Sequence, residues 1–162
     1  SGTVKIQLYH LGLCEFRKEI VREISLTPGK SMVVVQLNKA GIRAFRKEHI
    51  LFAELKDSDG HVIARTNALA DIERRCVFPD AKLDIKVEGN ALHITTDKFA
   101  RNINLEGNAD GEKLGWFFED NYFDLFPGEK KVVHVLGKHN KGVISAKAWY
   151  SSESSTINWN LT

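Results

Sequence analysis

Three carboxylates within one short stretch, Glu119, Asp120 and Asp124, are the side chains of this sequence best grouped to do chemistry. Two acids held about 5–10 Å apart can hydrolyse a glycosidic bond, one donating a proton while the other attacks or activates water. The same acids could hold calcium, but their spacing lacks the alternating ligand pattern of a calcium loop. Their setting argues for a third use. They lie in Trp116-Phe117-Phe118-Glu119-Asp120-Asn121-Tyr122-Phe123-Asp124-Leu125-Phe126-Pro127-Gly128-Glu129, which is rich in aromatics and closes on Pro-Gly. Carboxylates beside such a turn accept hydrogen bonds from backbone N–H groups. Asp120, Asn121 and Asp124 are therefore expected to be structural, with Pro127 and Gly128 setting the turn, and no catalytic residue is assigned.

Other chemistries find less support. The six histidines (His10, His49, His61, His93, His134 and His139) form no H-E-x-x-H pair, and no G-x-S-x-G elbow or phosphate-binding loop occurs. Gly107 to Gly111 reads as a flexible loop. Cys14 and Cys76 lack an intervening Trp to pack on an inter-sheet bridge, so two free thiols are expected. No metal site and no cofactor is called for. The aromatics leave two readings open. Trp116, Tyr122, Phe123, Trp149 and Trp159 could fill a core or a domain interface, or could stack on sugar rings. The triplet Asn160-Leu161-Thr162 matches a glycosylation acceptor, a pattern that recurs by chance.

Bulk properties exclude several partners. Apolar residues make up 43% and charged residues 27% of the 162, as in an ordinary globular protein. The net charge of +2 divides into +4 over residues 1–78 and −2 over residues 79–162, too little in either half to neutralise a nucleic-acid backbone. No apolar run is long enough to span a bilayer. Neither nucleic acid nor membrane is an expected partner.

The elements that position these residues follow a period of two. Val4, Ile6 and Leu8 alternate with Lys5, Gln7 and Tyr9 in a half-buried strand. Residues 15–25 could be a short helix by spacing, but their β-branched content and the following Pro28-Gly29 favour a strand. Ile50–Lys56 and His61–Thr66 flank Asp57-Ser58-Asp59-Gly60, a hairpin signal. Leu83, Ile85 and Val87 turn at Gly89-Asn90 and return as Leu92 and Ile94. Further strands are expected around Ile103 and Leu105, over Lys130–Leu136 and Val143–Tyr150, and over Thr156–Leu161. Ile42–Glu48 reads as a weak strand, a helical turn or a loop.

Pro-Gly occurs twice, each time ahead of a Val-Val pair: Leu26-Thr27-Pro28-Gly29 before a strand at Ser31–Leu37, and Pro127-Gly128 before Lys130–Leu136. This repeat predicts an all-β chain of two tandem β-sandwiches, 1–78 and 79–162, with Pro79 at the joint. Fewer residues precede the first Pro-Gly within its domain than precede the second. The first sandwich is thus expected to be short of one or two N-terminal strands, either truncated or reduced in pattern.

Phe118-Glu119-Asp120-Asn121-Tyr122-Phe123-Asp124-Leu125-Phe126-Pro127-Gly128-Glu129 resembles the F-x-D-N-Y-F-D-L-x-P-G-E signature near the C-terminus of β-mannosidase-like enzymes of glycoside hydrolase family 2. Ala53–Gly60, Val77–Leu83 and Asp97–Asn102 resemble neighbouring parts of the same enzymes. The resemblance implies two immunoglobulin-like domains, a mannosidase-type one that is partial over 1–78 and a C-terminal one over 79–162. It also implies a catalytic TIM barrel upstream in the same polypeptide as the principal partner, and a parent that hydrolyses terminal β-D-mannosides. The chain itself is then a non-catalytic accessory region that buttresses the barrel. The alternative is an independent carbohydrate-binding or cell-surface interaction module.

Overall fold

The computed structural model describes residues 1–38, 47–109, 115–136 and 140–160. The chain is all-β and divides into two compact units, Ser1–Val77 and Phe78–Thr162.

The first unit presents one antiparallel sheet in the order β2-β1-β3-β4, where β1 is Gly2–His10, β2 Glu15–Ile24, β3 His49–Asp57 and β4 Val62–Leu69. Residues 15–25 are indeed a strand, paired along β1 from Gly2↔Ile24 to His10↔Glu15. The β3–β4 hairpin forms as its sequence predicts. Gly60 takes φ +86°, and one Asp57 carboxylate oxygen accepts the N–H groups of Asp59 (2.9 Å) and His61 (2.8 Å). A 3-10 turn, Glu73–Arg75, precedes the unit boundary.

Register assigns the faces. Val4, Ile6 and Leu8 pair across with Leu55, Ala53 and Leu51, making one apolar face. Lys5, Gln7 and Tyr9 occupy the other, opposite Glu54, Phe52 and Ile50. The expected alternation fails at Tyr9, which is fully buried. Its ring packs edge-on against Phe16 at 5.0 Å, because an inner strand is covered on both sides at this end. Farther along that face, Glu54 is only 6% exposed and accepts bonds from Arg65 Nε (2.8 Å) and Lys56 Nζ (3.2 Å). Burial raises the Glu54 pKa, yet hydrogen bonds from Arg65 and Lys56 outweigh it and hold the carboxyl below its ordinary value.

The first Pro-Gly makes the expected turn, with Gly29 at φ +76° and Lys30 N–H bonded to Thr27 O at 3.1 Å. The strand expected at Ser31–Leu37 does not form. These residues pair with no described strand, and Val33 is 79% exposed. The repeated feature is the turn; whether a strand follows depends on a partner edge. Of Ile42–Glu48, residues 42–46 lie outside the described ones, and Lys47 and Glu48 are in a turn.

The second unit is a two-layer sandwich. One sheet has the order β5-β6-β9 (β5 Leu83–Glu88, β6 Ala91–Thr96, β9 Lys131–His134). The other has the order β11-β10-β7-β8 (β7 Ala100–Asn108, β8 Phe123–Leu125, β10 Lys141–Lys147, β11 Ser155–Asn160). Gly107 and Asn108, expected in a flexible loop, instead end β7 and pair with Ile144 and Val143. Alternate residues of both sheets point inward and form one core, including Leu83, Ile85, Leu92, Ile94, Ile103 and Ile144. Ser151 and Ser155 tie the later chain to the start of β5 by donating to the carbonyls of Ala81 (2.7 Å) and Leu83 (2.5 Å).

Candidate functional site

The acidic aromatic segment runs alongside β7 and includes β8, and each carboxylate and side-chain amide in it has a structural partner. Asp124 on β8 faces Arg101 on β7, with Oδ2 at 2.5 Å from the guanidinium, while Oδ1 accepts Asn102 N–H at 2.8 Å. This pairing holds a bulge in β7, where Asn102 takes φ +46°. Asn121 behaves like a missing strand residue. Its side-chain oxygen accepts Leu105 N–H (2.8 Å) and its Nδ2 donates to Leu105 O (3.1 Å), closing the edge of β7 beyond the reach of β8. Asp120 caps Asn121 N–H (2.9 Å) and pairs with Lys131. Glu119 binds the ring Nδ1 of His134 at 2.6 Å, which together with the His134 backbone N–H lowers its pKa.

Pro127 and Gly128 make the second turn, Gly128 at φ +84°, with Glu129 N–H bonded to Phe126 O at 3.1 Å and the Glu129 carboxylate returning to Phe126 N–H at 3.0 Å. The acids are thus spread over separate cations and backbone donors rather than converging on one point. Among the described residues, the group with ion-binding spacing is Asp57, Asp59 and His61, at the β3–β4 turn where Asp57 already serves the backbone.

The aromatics separate cleanly. Trp159 is 0% exposed, and Trp116 packs against it edge-on at 6.5 Å inside the core. Of the two readings left open for these indoles, their burial favours core filling over sugar contact. Trp116 is seated by two glycines. A Cβ on Gly107 would lie 2.0 Å from its ring, and one on Gly142 would lie 2.6 Å away. Phe123 is partly buried and packs against the core, with Lys131 Nζ over its ring at 5.1 Å. Tyr122 and Trp149 are each 59% exposed. The backbone N–H groups of both bond β7, Tyr122 to Ile103 O (2.8 Å) and Trp149 to Arg101 O (3.0 Å). Cys14 and Cys76 are not joined by a disulfide, and their thiols lie near backbone carbonyls, Cys14 Sγ 3.3 Å from Leu11 O and Cys76 Sγ 3.7 Å from Ile72 O.

Sequence reasoning missed Arg101 and Lys131 as the counter-charges of the motif, and Gly107 and Gly142 as the seat of Trp116. A glycine at an inward strand position is the signal that could have revealed the last two.

Residues 78–149 match the family model described as Ig_mannosidase, an Ig-fold domain. No curated protein sequence matches the chain. Among solved structures, the exo-chitosanase CsxA of Amycolatopsis orientalis is similar over 97% of this chain and 23% of its own, with 13% identity and a TM-score of 0.59. The β-D-mannosidase of Dictyoglomus thermophilum is similar over 99% of this chain and 19% of its own, with 20% identity and a TM-score of 0.55. The chain therefore spans about a fifth of the length of these proteins. These matches bear out the resemblance drawn from the motif, which lies within the residues 78–149 that match the Ig_mannosidase model of an Ig-fold domain.

Proposed function

We propose that this chain is a non-catalytic accessory region of a β-mannosidase-type glycoside hydrolase of family 2, and that it buttresses a catalytic barrel carried elsewhere in the same polypeptide. The family match over 78–149 carries this reading, and the whole-chain likeness to part of a β-D-mannosidase supports it. The chemistry of the motif points the same way. Glu119, Asp120 and Asp124 are each engaged by a different partner, which fits a folding role better than an acid and a nucleophile facing one bond.

The test has two parts. The purified 162-residue chain should leave an aryl β-D-mannoside intact, and turnover by clean protein would refute the accessory role. The coding sequence upstream should encode a barrel with two glutamates at strand ends; an array of further sandwich domains there would favour a cell-surface module instead.

A further inference from the structure

The two units share more than a turn. In the second, β8, β7, β10 and β11 stand side by side in that order, and the Pro127-Gly128 turn and β9 fall between β8 and β10 along the chain. In the first, β2, β1, β3 and β4 stand side by side, and Pro28-Gly29 and residues 31–37 fall between β2 and β3. All the neighbours pair antiparallel in both sheets. β1, β2, β3 and β4 are thus the counterparts of β7, β8, β10 and β11, and residues 31–37 are the counterpart of β9. Among the described residues, nothing in the first unit corresponds to β5 and β6, the strands that complete the β5-β6-β9 sheet over the second core.

The missing layer leaves two marks. In the second unit, Ile103 of β7 and Ile144 of β10 are fully buried under that sheet. In the first, Val4, Ile6, Leu51 and Ala53 share an apolar face and are only half-buried. A cavity of about 270 Å³ opens there, lined by Ile6, Leu8, Ile20 and Leu51 of the sheet and by Gln36 and Leu37. The 31–37 segment therefore reaches over this face as β9 reaches over its own, but leaves it incompletely filled. The segment is the second mark. Three valines in a row, Val33 to Val35, favour a strand, yet they pair with no described strand, and Met32 and Val33 are exposed. An apolar sheet face needs a covering layer, and a strand needs a paired edge.

We propose that two strands of the same polypeptide, carried ahead of Ser1, dock on the first unit: one pairs antiparallel with residues 31–37, and together they close a sandwich over Val4, Ile6 and Leu51. Chain order selects this occupant. β5 and β6 precede β7, so their counterparts precede β1, which begins at Gly2. Register sets the contact. Leu92 of β6 lies opposite Val133, so an apolar residue of the incoming strand lies opposite Val34. The spacing of the Pro-Gly turns predicts that strands are missing; the strand order says which they are and against what they pair. Like the accessory role, this docking requires the polypeptide to continue ahead of Ser1, but it does not require a barrel there.

Solution NMR tests it on two proteins, the 162-residue chain and the same chain lengthened by about 40 residues that the gene encodes ahead of Ser1, room for two strands and their connections. In the longer protein the amides of Val33, Val34 and Val35 should exchange about a hundredfold or more slower than in the shorter one, as ladder bonds replace water. Cross-strand NOEs should join these residues to the extension. Unprotected amides at 31–37 in the longer protein, protection already present in the monomeric shorter one, or NOEs that join 31–37 to a second copy would each overturn the proposal. A barrel upstream together with unprotected amides would sink this docking alone. Protected amides with no barrel upstream would sink the accessory role and leave the docking intact.

Discussion

The two Pro-Gly turns show how one local signal leads to different structures. At Pro127-Gly128 the chain leaves the turn as β9 and pairs with β6 from Ala91↔His134 to Ile94↔Lys131. Val133 then enters the core with no exposure, while its counterpart in the first unit, Val34, lies in a segment without regular structure. The turn geometry is the same, with positive φ at Gly29 and Gly128 and a bond between the first and fourth residues. A strand, however, is a pairing rather than a property of its own residues, and the second unit supplies the partner edge. The units also differ in how they handle polar groups. The first buries a carboxylate against two cations on a sheet face. The second places its acids and amides on backbone edges and bulges around an apolar core.

This contrast can be broken experimentally. The largest effect is expected from Trp159→Ala, which should cost the second unit about 3–5 kcal/mol by opening a cavity in its core. Urea unfolding followed by far-UV circular dichroism, with hydrogen exchange to separate the units, should show β5–β11 destabilised and β1–β4 unchanged. Asn121→Ala comes next. It strips both backbone groups of Leu105 of their side-chain partner and should cost about 1–3 kcal/mol, with faster amide exchange at Leu105. A retained exchange rate there would mean that water replaces the amide without loss.

The glycine pair tests the turn comparison directly. Gly128→Ala should cost about 1–2 kcal/mol, since an L side chain resists positive φ and the strand behind the turn cannot shift. Gly29→Ala should cost visibly less, because no ladder holds the residues after it. Equal costs would show that the first turn is as constrained as the second. The smallest effect concerns pH. The Glu54 carboxyl has a folded pKa below its unfolded value, so its stabilisation is complete above about pH 4.3 and is lost as pH falls through the lower folded value. Glu54→Gln should remove about 1 kcal/mol near neutral pH, discounted because both cations are partly solvated. It should also flatten the acid limb of the stability profile for β1–β4, leaving β5–β11 as before.

Much of the strand pattern was legible because alternation and turn residues act locally. Gly60 and Gly89 fix their hairpins through positive φ, and β5 and β6 follow from Leu83, Ile85, Leu92 and Ile94. Tyr9 was misread because alternation cannot reveal that an inner strand is covered on both faces. The split among the aromatics was illegible for a similar reason. Trp116 and Trp149 look alike in sequence, but the two glycines that make room for Trp116 stand on β7 and β10, which meet only in the sheet.

By itself, the order of residues determined the all-β class, the turns and the structural character of the acidic motif, because those depend on neighbours a few positions away. Tertiary structure decided which valine pair joins a sheet and which indole is buried. Each of those outcomes is set by groups far apart in the chain, whose approach depends on strand pairing and burial.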